Sequence, residues 1–95
     1  MVFAKLNYSQ HYEDVHDSLM VLLEENFKRV EGGLQCDSYV WVWLDDTKVA
    51  VDTFTALSHE VKSSERGKHV DAVIAVLKKE FSVEVYSEPE IEPHE

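Results

Sequence analysis

The chain has 95 residues, of which 44% are hydrophobic and 29% charged, ordinary globular usage that excludes a wholly disordered chain or a repeat fibre. Asp and Glu number 19 against 9 Lys and Arg, a net charge of −10, so the basic footprint of a nucleic-acid binder is missing and no nucleic-acid partner is expected. A chain this short buries about 60–65% of its extended surface, which leaves one modest core and little room for an enclosed active site.

The opening MVFAKLNYSQ turns polar after Leu6, without the apolar run of a secretory signal. The longest apolar stretch, Tyr39 to Leu44, is far short of the roughly 20 residues that span a bilayer. The single cysteine, Cys36, has no partner for an intramolecular disulfide. A cytoplasmic chain with no membrane partner is expected.

Residues 2–8 alternate with period two, Val2, Ala4 and Leu6 against Phe3, Lys5 and Asn7, and predict a strand. From Tyr12, apolar residues recur at 12, 15, 19, 22, 23 and 27, the stripe of a helix over about 10–28 capped by Asn7 or Ser9. Glu13, Asp14 and Asp17 in its first half, Lys28 and Arg29 at its end and Gly32-Gly33 beyond agree with the macrodipole and a stop signal. Gly32 to Ser38 reads as a connection, with room for a short strand over 27–31.

Tyr39-Val-Trp-Val-Trp-Leu44 and Lys48-Val-Ala-Val-Asp-Thr-Phe54 flank the turn residues Asp45-Asp46-Thr47 and predict a hairpin. Centred on Asp46 and Thr47, it pairs Leu44 with Val49, Val42 with Val51 and Val40 with Thr53. Residues 55–63 read as a polar link. Ser63 or Ser64 caps a second helix over about 64–80, with its stripe at 70, 73, 74, 77 and 81. Ser82 to Tyr86 alternates again as a last strand. Residues 88–95 hold four Glu, two prolines and only Ile91 to bury, and read as an acidic disordered tail behind a single α+β domain over 1–87.

The order β-α-β-β-α-β resembles the split βαβ plan of ferredoxin-like folds, a four-stranded antiparallel sheet with both helices on one face. The resemblance is one of element order and implies no particular function. The expected core is Val15, Leu19, Leu22, Leu23, Val42, Val51, Val73, Ile74 and Leu77.

Chemistry-bearing constellations are weak. His11 and His16 are five apart on a helix and point away from each other, His59 and His69 belong to different elements, and His94 is in the tail. All five read as surface histidines, and no metal or cofactor is expected. Asp52 with Glu60-Val61-Lys62 resembles the Asp…Glu-x-Lys set of restriction-type nucleases, in which two carboxylates hold Mg²⁺ and a lysine assists the attacking water. Convergence is not expected, because Thr53 to His59 contains no Gly, Asn or Pro and Phe54, Leu57 and Val61 follow helical spacing. Cys36 lacks an activating base, and Gly32-Gly33 follows a helix where a phosphate loop would open one.

The informative feature is the second face of the hairpin. Val40, Val42, Leu44, Val49 and Val51 face the helices, so Tyr39, Trp41, Trp43 and Phe54 project from the open side, joined by Phe3 and Tyr86 at its far strands. A patch of this kind binds a protein or a second copy as a homodimer, unless the link 55–63, the segment 28–38 or the tail folds over it. Two alternatives stand beside this non-enzymatic binding module: an acidic inhibitor or decoy of a basic partner, acting through charge, and a metal-dependent nuclease-like enzyme using Asp52, Glu60 and Lys62.

Overall fold

A computed structural model of the chain describes residues 1–92. Strand β1 (Val2–Asn7) leads into helix α1 (Tyr12–Asn26), followed by β2 (Arg29–Leu34), β3 (Ser38–Leu44), β4 (Thr47–Asp52), β5 (Glu60–Lys62), helix α2 (Lys68–Leu77) and β6 (Ser82–Glu90). The fold is α+β, with one sheet in the order β2-β3-β4-β5-β1-β6 and every neighbouring pair antiparallel. No helix among the described residues is long and apolar enough to cross a membrane.

The sheet has six strands where the sequence predicts four, and the two extra ones each have a physical reason. β2 contains the Gly-Gly pair that reads as a helix stop. Gly33 lies beneath the Tyr39 ring, and Gly32 lies between the Met20 sulfur and the Tyr39 carbonyl, so neither has room for a Cβ. β5 is three residues long, too short for an alternation to register. It lies between β1 and β4, which run the same way, and makes both contacts antiparallel.

The helices share one face of the sheet. The core joins Leu19, Leu22 and Leu23 of α1 and Val70, Val73, Ile74 and Leu77 of α2 to Ala4, Leu6, Val40, Val42, Val49, Val51 and Val61. Val15 is also buried, at the start of α1. The helices are shorter than their stripes suggest. α1 is capped by the His11 ring, which accepts the Glu13 N–H at 3.3 Å, and it ends at Phe27, which leaves Arg29 to open β2. Gly67, with no side chain to cap, opens α2.

Three further expectations are corrected. The hairpin turns on Asp45-Asp46, with Asp45 at φ 55, a left-handed backbone that Asp tolerates better than most residues. Leu44 therefore pairs with Thr47, Val42 with Val49 and Val40 with Val51. The slip of two residues is even, so every side chain keeps its face. A β-bulge between Val2 and Ala4 turns Phe3 onto the helix side, where it packs against the core, and sets Val2 opposite Lys62. The expected tail is in part strand: β6 runs to Glu90, which pairs with Val2. Residues 93–95 of that tail, His94 included, lie outside the described residues.

Candidate functional site

No helix among the described residues covers the other face of the sheet. Cross-strand pairing lays out its rows: Arg29, Trp43 and Lys48; Glu31, Trp41, Ala50 and Lys62; Gly33, Tyr39, Asp52 and Glu60. Tyr39 leans over Gly33 because no side chain stands there. Its ring centre is 4.8 Å from that of Trp41 and 6.0 Å from that of Phe54. Trp41 and Trp43 each carry a cation of the same face: Lys48 Nζ lies 4.4 Å from the Trp41 ring and the Arg29 guanidinium 4.4 Å from the Trp43 ring. Trp43 Nε1 donates to Glu31 at 3.4 Å. Tyr39, Trp41 and Trp43 remain half-buried and Phe54 is 52% exposed, so neither the link nor residues 91–92 cover the row. Of the two expected additions, Phe3 has gone to the core. Tyr86 stays near the acidic side of this face, where burial, and then Glu90, Glu60 and Glu84, hold its phenol above the ordinary tyrosine value.

Ala50, the smallest side chain of the face, makes a depression between the tryptophans and β5. An open groove of about 980 Å³ results. Trp41, Trp43, Phe54 and Lys62 line it, and Asp46, Asp52, Glu65 and Glu92 give its walls more carboxylates than cations.

At one end of the groove, Asp52, Glu60 and Lys62 come together, against expectation. Asp52 and Glu60 are direct cross-strand partners. Lys62 Nζ donates to Asp52 Oδ1 at 2.7 Å and to Thr55 Oγ1 at 3.0 Å, with Glu60 Oε1 at 3.9 Å and Glu92 Oε1 at 3.7 Å. Thr55 Oγ1 in turn donates to Glu60 at 2.8 Å. The chain reverses without Gly or Pro because Asp52 Oδ1 accepts the Phe54 N–H at 3.2 Å, an Asx turn made by the last strand residue itself. The helical spacing of Phe54, Leu57 and Val61 was a coincidence, for Leu57 is 88% exposed.

A second polar cluster lies inside the molecule and escaped the sequence reading. His16, Ser38 and His59 are buried. Ser38 Oγ is 2.6 Å from His16 Nδ1 and 2.7 Å from His59 Nε2, and His59 Nδ1 is 2.7 Å from the Tyr8 hydroxyl, which accepts the His59 backbone N–H at 3.0 Å. Two orders of donors satisfy the three links: Tyr8 to His59, His59 to Ser38 and Ser38 to His16, or the reverse of all three. Burial, and then the neighbouring His16, push the His59 pKa down to about 4. Burial raises the Tyr8 phenol above its usual value, against the lowering effect of the hydrogen bond from the His59 backbone. With Ser38 fully enclosed, no substrate reaches a nucleophile here, and the cluster ties β1, α1, β3 and the approach to β5 together. No sequence signal marked the cluster: the apolar stripe of the helix passes through 15 and 19 and leaves position 16 beside it.

Cys36 is exposed in the β2–β3 loop, and the Tyr12 hydroxyl donates to its carbonyl. Among the described residues no group of three or more His, Cys, Asp and Glu is placed to hold a metal ion. No family model, no curated protein and no solved structure matches the chain.

Proposed function

We propose that the chain is a non-enzymatic protein-binding module whose open sheet face takes up a segment of a partner protein. The observation that carries this reading is the aromatic row of Phe54, Tyr39 and Trp41, whose rings are in contact, with Trp43 next along the same strand face, all left half-exposed beside a groove floored by Ala50. Tryptophans in such a position are the side chains most enriched at binding hot spots, where losing one costs about 2 kcal/mol or more. The surplus of carboxylates on the groove walls supports a partner segment that combines an apolar anchor with Lys or Arg. The same surplus disfavours two copies meeting face to face, since their acidic walls would oppose each other.

Selection of peptides from a random library against the whole protein tests the reading. Enrichment of basic, apolar peptides is expected, with binding reported by tryptophan emission and weakened at least about tenfold by Ala50→Phe and by Trp43→Lys. Peptides that bind Ala50→Phe as well as wild type would overturn it. Affinity that collapses on adding salt, with no response to Trp43→Lys, would favour the inhibitor of a basic partner acting through charge.

A second reading draws on the convergence of Asp52, Glu60 and Lys62. Two carboxylates on adjacent strands with a lysine between them are what a Mg²⁺-assisted hydrolase of the nuclease type requires, and Mg²⁺ is commonly held by one or two carboxylates and waters. Lys62 would have to give up its pairing with Asp52 to admit the ion. DNA cleavage that depends on Mg²⁺ or Mn²⁺ and vanishes in Lys62→Ala would establish it; no cleavage by wild type would remove it.

A further inference from the structure

The two outer strands of the sheet differ. β6 carries Glu84, Glu88 and Glu90, and Pro89 with no N–H to donate, the devices that keep an edge from pairing. β2 reads Arg-Val-Glu-Gly-Gly-Leu over Arg29–Leu34, without proline and with two residues that have no side chain. It pairs on one side only, with β3. Which of its backbone groups point outward follows from the far side of β3, where the Thr53 N–H donates to the Ser38 carbonyl at 3.0 Å. Ser38, Val40 and Val42 thus turn their backbone groups to β4, and Tyr39, Trp41 and Trp43 turn theirs to β2. Gly33, Glu31 and Arg29, which sit opposite those three, are used. Val30, Gly32 and Leu34 direct their N–H and C=O groups away from the sheet.

We propose that this edge pairs antiparallel with the same edge of a second copy, about a two-fold axis at Gly32, to make one continuous sheet from two. Outward residues can face only outward residues, and this limits the registers. An axis at Glu31 sets two carboxylates against each other. Axes at Val30 or Leu34 leave half the strand without a partner, and an axis at Gly33 sets Leu34 against Gly32, which has no side chain to meet it. The axis at Gly32 pairs Val30 through Leu34 completely. Val30 then meets Leu34 of the second copy, twice by symmetry, and covers a leucine that is 39% exposed in the single chain. Glu31 meets Gly33, and Arg29 faces the loop that carries Asp37, an opposite charge. The arrangement leaves both aromatic faces on one side and both helix layers on the other, so it goes beyond the face-binding reading and does not depend on it.

Sedimentation and amide exchange on the whole protein test the proposal. Twice the chain mass of 11.0 kDa is expected, with exchange at Val30, Gly32 and Leu34 slowing at least about tenfold as concentration rises, while Glu31 and Gly33 are protected throughout. Leu34→Lys, a change at an exposed position, returns the mass to that of one chain and restores exchange. Phe54→Ala, on the aromatic face, leaves both unchanged. A chain that stays monomeric at the highest soluble concentration, or a dimer in which those three amides exchange as freely as in the monomer, would overturn it.

Discussion

Lys62 Nζ lies 2.7 Å from Asp52 Oδ1, and both side chains are less than a tenth exposed. A pair so enclosed has lost most of its hydration, and it is held by geometry: Thr55 accepts from the same ammonium, and Phe54 donates to the same carboxylate oxygen. Removing one partner strands the other without water. Lys62→Met or Asp52→Asn alone is expected to lower unfolding stability by about 3 kcal/mol or more, while the double change Asp52→Asn with Lys62→Met, which keeps an oxygen to accept the Phe54 N–H, costs less than the sum of the two by about 1 kcal/mol or more. Urea titration of the four proteins checks it. A single variant as stable as wild type would mean that the pair is open to solvent.

The same residues show what sequence reasoning reaches. The two helices, the hairpin and the separation of a valine face from an aromatic face follow from periods of 3.6 and 2, because those periods fix which side chains meet water. The hidden strand β5 did not follow, since three residues carry no period and its turn was made by Asp52, whose role in the strand concealed its role in the turn. The burial of His16, Ser38 and His59 was equally invisible. Three polar residues far apart in the chain become a core cluster only because each supplies the others' hydrogen bonds.

Gly32 is the next point of test. A Cβ there would stand 2.6 Å from the Met20 sulfur and 2.6 Å from the Tyr39 carbonyl oxygen. The sulfur ends a flexible side chain and can move, whereas the carbonyl belongs to the strand backbone and cannot without disturbing the ladder. Gly32→Ala is therefore expected to cost about 1–3 kcal/mol, and adding Met20→Ala should recover only part of it. Full recovery in the double variant would place the whole conflict at the sulfur.

His59 sets an acid limit on the fold. Its pKa is about 4 in the folded chain against about 6.5 when unfolded, so between those values the unfolded chain binds a proton that the native one refuses. Stability is fully present above about pH 6.5 and falls as the pH drops toward 4, by a sum on the order of 3 kcal/mol. His59→Gln keeps hydrogen-bonding groups near Ser38 and Tyr8 and should flatten the slope between pH 4 and 6.5, even where it lowers stability at pH 7. Proton NMR of the His59 ring gives the direct reading: a ring that titrates near 6.5 in the folded protein would contradict this account.

The end of β6 offers a test in which two effects oppose each other. Past the irregular stretch after Val85, the ladder between β6 and β1 resumes with Glu90 opposite Val2, and Glu92 Oε1 lies 3.7 Å from Lys62 Nζ. A chain ending at Ser87 loses those backbone hydrogen bonds, each worth about 0.5–1.5 kcal/mol net. It also loses the four glutamates of residues 88–95 from a molecule of net charge −10, which relieves self-repulsion. Salt separates the two, because the repulsion is screened and the hydrogen bonds are not. In high salt the shortened chain should be less stable by about 1–2 kcal/mol, and at low salt the difference should shrink. Equal unfolding midpoints of the two chains in high salt would show that the last turn of the sheet ends at Ser87 and that residues 88–90 contribute nothing to it.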